Sequence, residues 1–110
     1  MISAGRLRWN ARVMKAATTT DSLGRRTSTF TGGLYFRTDM RERGAAEVAY
    51  ADGVAVTTQY ELRTRWPEVA RTTMTELDRI VVRGKTLRIE SIENADERDR
   101  LAVIQCTEVV

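Results

Sequence analysis

Residues 54–65, Val-Ala-Val-Thr-Thr-Gln-Tyr-Glu-Leu-Arg-Thr-Arg, decide the fold class. Val54, Val56, Thr58, Tyr60 and Leu62 fall on one side of a period-two pattern, with Gln59, Glu61 and Arg63 on the other. Alternation of this kind marks a strand with one face toward a core and one toward water. It is the longest strand signal in the chain. Trp66-Pro67 ends it, because proline cannot continue a hydrogen-bonded ladder.

Working outward toward the N-terminus, the same period appears from Arg6 to Lys15, with Leu7, Trp9, Ala11 and Val13 opposite Arg8, Asn10 and Arg12. Residues 16–29 (AATTTDSLGRRTST) are polar and read as a loop or a long hairpin tip around Asp21 and Gly24. Phe30 to Thr38 is another strand, broken by Gly32-Gly33, where a bulge or a close backbone approach is expected. Ala45 to Ala51 is rich in alanine and glutamate, good helix formers, and predicts two helical turns stopped by Gly53. So short a helix must pack on something.

Toward the C-terminus, residues 68–76 fit either a loop or a helical turn. Asp78 to Val82 and Thr86 to Ile92 predict a hairpin around Arg83-Gly84-Lys85. Glu93 to Arg100 is a charged turn, and Leu101 to Val109 is a β-branched closing strand. Six strands and one short helix predict a mainly β fold, a small six-stranded antiparallel barrel or sandwich with long loops. Residues 1–110 are expected to form a single domain.

The composition removes several function classes. The chain has 110 residues, 18 Lys+Arg against 15 Asp+Glu, no histidine and one cysteine. Without histidine it lacks the commonest general base and a favoured zinc ligand. A lone Cys106 allows no intrachain disulfide and suits a reducing compartment. No apolar run approaches the roughly 20 residues of a membrane span, and the opening MISAGRLRWN has no hydrophobic core of a secretory leader. Sixteen of the 18 cationic residues are arginine, a bias that genomic composition and a preference for fixed, forked ion pairs would both produce.

Motifs for chemistry are weak. Gly84-Lys85-Thr86 looks like the end of a phosphate loop, but Arg79 stands where its first glycine belongs and a strand follows instead of a helix. Glu93, Asp96, Glu97 and Asp99 lack calcium-loop spacing and alternate with Arg98 and Arg100. Cys106 in an apolar strand reads as buried and inert. No cofactor, metal site or catalytic set is expected. Trp9, Tyr60 and Trp66 lie beside arginines and would form a stacking platform for single-stranded nucleic acid if exposed; the spacing of Trp9 and Tyr60 favours the core instead.

In order, these segments resemble the phage head–tail joining family of head-completion, or stopper, proteins. The resemblance rests on Gly5-Arg6-Leu7-Arg8 with Arg12-Val13, Asp21 and Gly24, Gly44 to Glu47, and Arg63 with Arg65. Its most specific part is Gly84-Lys-Thr-Leu-Arg-Ile-Glu-Ser-Ile-Glu-Asn94, followed by Asp96-Glu97-Arg98 and the strand through Cys106. Phe30 departs from a common tryptophan.

The resemblance implies a virion protein of a tailed phage, or of a prophage or gene-transfer particle, assembled in the host bacterial cytoplasm. It would form a homo-oligomeric ring of about twelve copies between the portal–adaptor and tail proteins. There it would help retain packaged double-stranded DNA without sequence specificity and without a membrane partner. The segment from Asp39 to Gly53 would then enter the channel, with Arg41, Arg43 and Glu47 facing DNA. Glu97, Arg98, Asp99 and Arg100 are candidates for pairing between subunits, as is Arg41-Glu42-Arg43, or else for a solvated surface. The competing readings are a free-standing nucleic-acid-binding barrel and another ring component such as a tail terminator.

Overall fold

The computed structural model describes residues 7–50, 53–95 and 97–109. Six strands, β1 (Trp9–Thr20), β2 (Arg26–Tyr50), β3 (Gly53–Arg65), β4 (Arg79–Val82), β5 (Lys85–Ala95) and β6 (Leu101–Glu108), surround one helix, α1 (Trp66–Thr72). The strands pair antiparallel and close on themselves in the order β1-β2-β3-β6-β5-β4. Alternate side chains fill the interior: Ala11 and Val13, Phe36, Tyr60 and Leu62, Ile80 and Val82, Leu87 and Ile89, then Ile104 and Cys106. The mainly β class and the strand count follow the sequence pattern.

In this order β3 and β4 lie on opposite sides of the ring, so the chain must cross one end of the barrel between them. Helix α1 makes that crossing. Pro67 occupies its first turn, where the missing N–H costs nothing, and Thr73 ends it in the left-handed conformation at φ 54. Val69 packs on the core from this end, and Thr72 and Met74 are buried there. The helix expected over Ala45 to Ala51 does not exist as far as Tyr50. Residues Ala45 to Tyr50 belong to β2 and pair with Thr58 to Gly53 of β3, while 51 and 52 lie outside the described residues. Cross-strand pairing outweighs a difference in helix propensity of a few tenths of a kcal/mol per residue.

β2 is the organising strand. At about 3.3 Å per residue its 25 residues would span roughly 80 Å if straight. The longest dimension of the molecule is 48 Å, so β2 must bend. Two irregularities bend it. Val13 faces both Gly33 and Leu34, and Arg43 is an extra residue between the Glu42–Tyr60 and Gly44–Gln59 pairs. Such bulges sharpen the local twist. A Cβ on Gly33 would lie 2.9 Å from the Val13 carbonyl oxygen, and one on Gly32 would strike the Arg12 guanidinium. Opposite the stretch beyond the second bulge, Thr57 of β3 is buried while Val56, expected inside, is 65 % exposed.

The ring closes at its weakest pairing, where β1 meets β4 through Arg12–Val81, Val13–Ile80 and Met14–Arg79 alone. Asp78, 2 % exposed, extends this seam. Its carboxylate accepts hydrogen bonds from the Ala16 N–H at 2.8 Å, Lys15 Nζ at 2.6 Å and the Thr75 N–H at 2.9 Å. Burial alone would raise the pKa of this carboxyl, but those hydrogen bonds and the Lys15 charge hold it below its ordinary value.

A carboxyl with a depressed folded pKa contributes stability above its unfolded pKa of about 4 and loses it as pH falls through the folded value. Asp78→Ala is therefore expected to cost about 1–3 kcal/mol at neutral pH, since it leaves the Ala16 and Thr75 N–H groups without their acceptor, while Lys15 keeps the Thr73 carbonyl. In urea melts from pH 6 to about pH 2, Asp78→Asn should show a flatter acid limb than the parent. Equal acid sensitivity would assign that limb to other carboxylates. Gly33→Ala, which meets fixed backbone, should destabilise more than Gly32→Ala, which meets a movable side chain; thermal melts rank the two.

Candidate interaction site

Two ribbons leave the barrel from opposite ends, because β2 contributes its beginning to one and its end to the other. The first joins Ala17–Thr20 of β1 to Arg26–Thr29 of β2, with every residue from 17 to 29 exposed. Its threonines, Thr18, Thr19, Thr20, Thr27 and Thr29, favour extended backbone without an apolar face. The segment expected as a loop or long hairpin tip is thus a hairpin. At its tip Asp21 accepts hydrogen bonds from the Leu23 and Arg25 N–H groups, and Leu23 stands 75 % exposed.

The second ribbon pairs Gly44–Tyr50 with Gly53–Gln59. Arg41 lies at its base opposite Glu61, exposed and without a side-chain partner among the described residues. Arg43 turns back to the barrel wall, where its guanidinium donates to Gln105 Oε1. Gln105 in turn donates to Glu61 Oε1 at 3.2 Å, and Glu61 pairs with Arg63 at 3.0 Å. Burial pushes the Glu61 pKa up, but the Gln105 and Arg63 hydrogen bonds and the Arg63 and Arg43 charges bring it below its ordinary value. Glu47 pairs through its backbone with Val56; its side chain lies outside the described residues. Arg41 and Arg43 therefore begin on one face, but only Arg41 is left uncommitted.

The turn between β5 and β6 is self-contained. Asn94 donates to Asp99 Oδ1 at 2.6 Å and accepts the Asp99 N–H at 3.1 Å, while Glu97 and Asp99 take positive φ values of 52 and 57. Asp99 is thus committed within the turn. Glu97, Arg98 and Arg100 point to solvent. The residue at 96 lies outside the described residues.

Trp9 and Tyr60 are not available as stacking faces, and Trp66 at the start of α1 is half-buried. Tyr60 is only 9 % exposed and sits in the core. Trp9 packs against the core and is capped by the Arg83 guanidinium at 4.0 Å. Arg79 covers Phe30 at 4.1 Å and Arg12 covers Tyr35 at 5.1 Å. Sequence reading missed this use of arginine. The partners come from different strands or, for Arg83, from the β4–β5 turn, so only the barrel fold brings them together. Arg83 also holds a left-handed turn position at φ 53, a strain that stacking on Trp9 helps offset.

One groove of about 500 Å³ lies between α1, β1 and β2. Leu7, Tyr35 and Phe36 give it an apolar wall, and Arg37, Arg65 and Arg71 a cationic one. Arg71 is held by Glu68, with a 2.6 Å contact, and by the Tyr35 carbonyl. Arg37 donates to the Arg8 carbonyl at 3.3 Å. Arg65 has no side-chain partner among the described residues.

The family model for phage head completion proteins matches residues 2–109. The chain belongs to the phage head completion protein family. It is accordingly a structural protein of a phage or phage-like head and associates with other virion proteins. A chain from a solved structure titled "Virion of native gene transfer agent (GTA) particle" has the same fold at TM-score 0.75 and 14 % identity. The match covers 94 % of this chain and 97 % of that one. No curated protein matches. No helix among the described residues is long and apolar enough to cross a membrane.

Cys106 is 2 % exposed, and burial first, then the Glu90 charge, pushes its thiol pKa up to about 12. It should resist alkylation at pH 8 in the folded protein and react fully in denaturant, as intact mass spectrometry would show. Rapid native labelling would mean that β6 opens readily.

Proposed function

We propose that this protein is a head-completion stopper. Copies form a ring that joins the portal and adaptor to the tail and helps retain packaged double-stranded DNA. The observation that carries this reading is the pair of ribbons at opposite ends of one small barrel. A component placed between two others needs reach in both directions, and a two-stranded ribbon standing off a barrel, such as the one over residues 17–29 with every residue exposed, is marginal until something covers it. Ring formation needs a heterologous interface that closes on itself, for which a rigid barrel is a suitable body.

The channel-facing element in this reading is the β2–β3 ribbon, in place of the loop and helix expected from the sequence. Arg41 at its base would meet phosphate without reading bases. Arg43 has the different task of bracing the ribbon against β6 through Gln105. The protein acts without catalysis: its buried thiol and paired carboxylates are occupied in holding the barrel.

The test shortens the ribbon without touching the barrel. Replacing residues 45–58 with a two-residue Asn-Gly turn should leave the thermal midpoint within a few degrees of the parent. Particles carrying this variant should fill with DNA and then lose it, measured as genome retained per particle. Particles that keep their DNA and attach tails normally would overturn the channel assignment. Labelled protein found anywhere but the head–tail junction, such as at a tail terminus, would overturn the stopper reading.

A further inference from the structure

The turn after α1 is built as a fixed projection. The Asp78 N–H donates to the Thr75 carbonyl at 3.0 Å, the Thr75 N–H to Asp78 Oδ2 at 2.9 Å, and the Leu77 N–H to Thr75 Oγ1 at 3.3 Å. Asp78 is itself anchored to β1 through Ala16 and Lys15. This framework holds Leu77 79 % exposed, the most exposed large apolar side chain among the described residues, beside exposed Glu76. A leucine fixed in water by five residues of hydrogen-bonded structure has no role in the core.

The groove beside α1 carries the complementary features. Its apolar wall fits a leucine, and its arginines outnumber its single carboxylate, Glu68. Arg71 and Arg37 are already engaged, so Arg65 is the cation available to an incoming acid. Glu68 and the apolar wall disfavour a phosphate backbone, which would meet a repelling charge and bury no aliphatic surface.

We propose that the Thr75–Asp78 turn of one copy docks in the α1–β2 groove of the next, with Leu77 against Leu7 and Tyr35 and Glu76 against Arg65. The projection and the groove share no residue, so a chain of copies in which each gives its turn to one neighbour and its groove to the other is head-to-tail, the type that generates rings. The proposal rests on the ring reading and specifies how neighbouring copies are joined.

The experiment uses full-length protein in assembled particles. A Glu76→Cys, Arg65→Cys double variant should give a ladder of covalent multimers on mild oxidation, and either single variant should give none. In a second arm, Glu76→Arg and Arg65→Glu should each reduce incorporation into particles at least tenfold, with unchanged melting of the free protein, and the combined reversal should restore it. Protein present at the junction but without the ladder, or a double reversal no better than the singles, would overturn this contact and leave the stopper reading standing. Protein absent from the junction in the parent particles would overturn both.

Discussion

The barrel depends on how its last seam is held. Closing a sheet requires its first and last strands to meet, and here β1 and β4 share only three paired positions. β4 cannot extend the ladder, because its chain arrives from α1 across the barrel end. The Asp78 carboxylate takes over where the strand stops, accepting the Ala16 N–H that another β4 residue would otherwise have paired. One side chain thus substitutes for backbone, fixes the exit of α1 and brings in the Lys15 ammonium. The plug formed by Val69, Thr72 and Met74 is positioned by the same anchor.

With the seam secured, the remaining geometry follows from β2. It is longer than the barrel is tall, so its two ends must leave the barrel or curl. It does both, with bulges at Gly33-Leu34 and Arg43 setting where it turns. The outer surface is then organised by arginine. Three guanidiniums lie over aromatic rings, and others pair with Glu61, Glu68 and Glu90. The arginine bias of the composition therefore has a structural use whatever its genomic origin: the planar group stacks and forks where lysine could only place a point charge.

The strands were legible because their inward residues recur with period two, and Val54–Arg65, Asp78–Val82, Thr86–Ile92 and Leu101–Val109 are all found within a few residues of their expected limits. The helix was misplaced for a definable reason. Ala45 to Ala51 has helix-forming residues, but Asp52-Gly53 is also a hairpin signal, and β3 offers an adjacent partner. Trp66-Pro67 marks the end of a strand, and proline in a first turn equally begins a helix, as α1 shows. The ribbon over 17–29 was ambiguous because both its faces are polar, leaving no alternation to detect. Asp78 as an anchor and the groove at Arg65 depend on residues more than 20 positions apart, which no local pattern reveals.

That both ribbons belong to one strand has a mechanical consequence. A pull between the two tips travels along the covalent backbone of β2 and crosses no loop. The ladders on either side of β2 are then loaded in shear, with many hydrogen bonds sharing the force, instead of being peeled open one at a time from an end. The load passes along the wall of the barrel, so strain applied at one end of β2 reaches the other through the strand that also places Phe36 in the core.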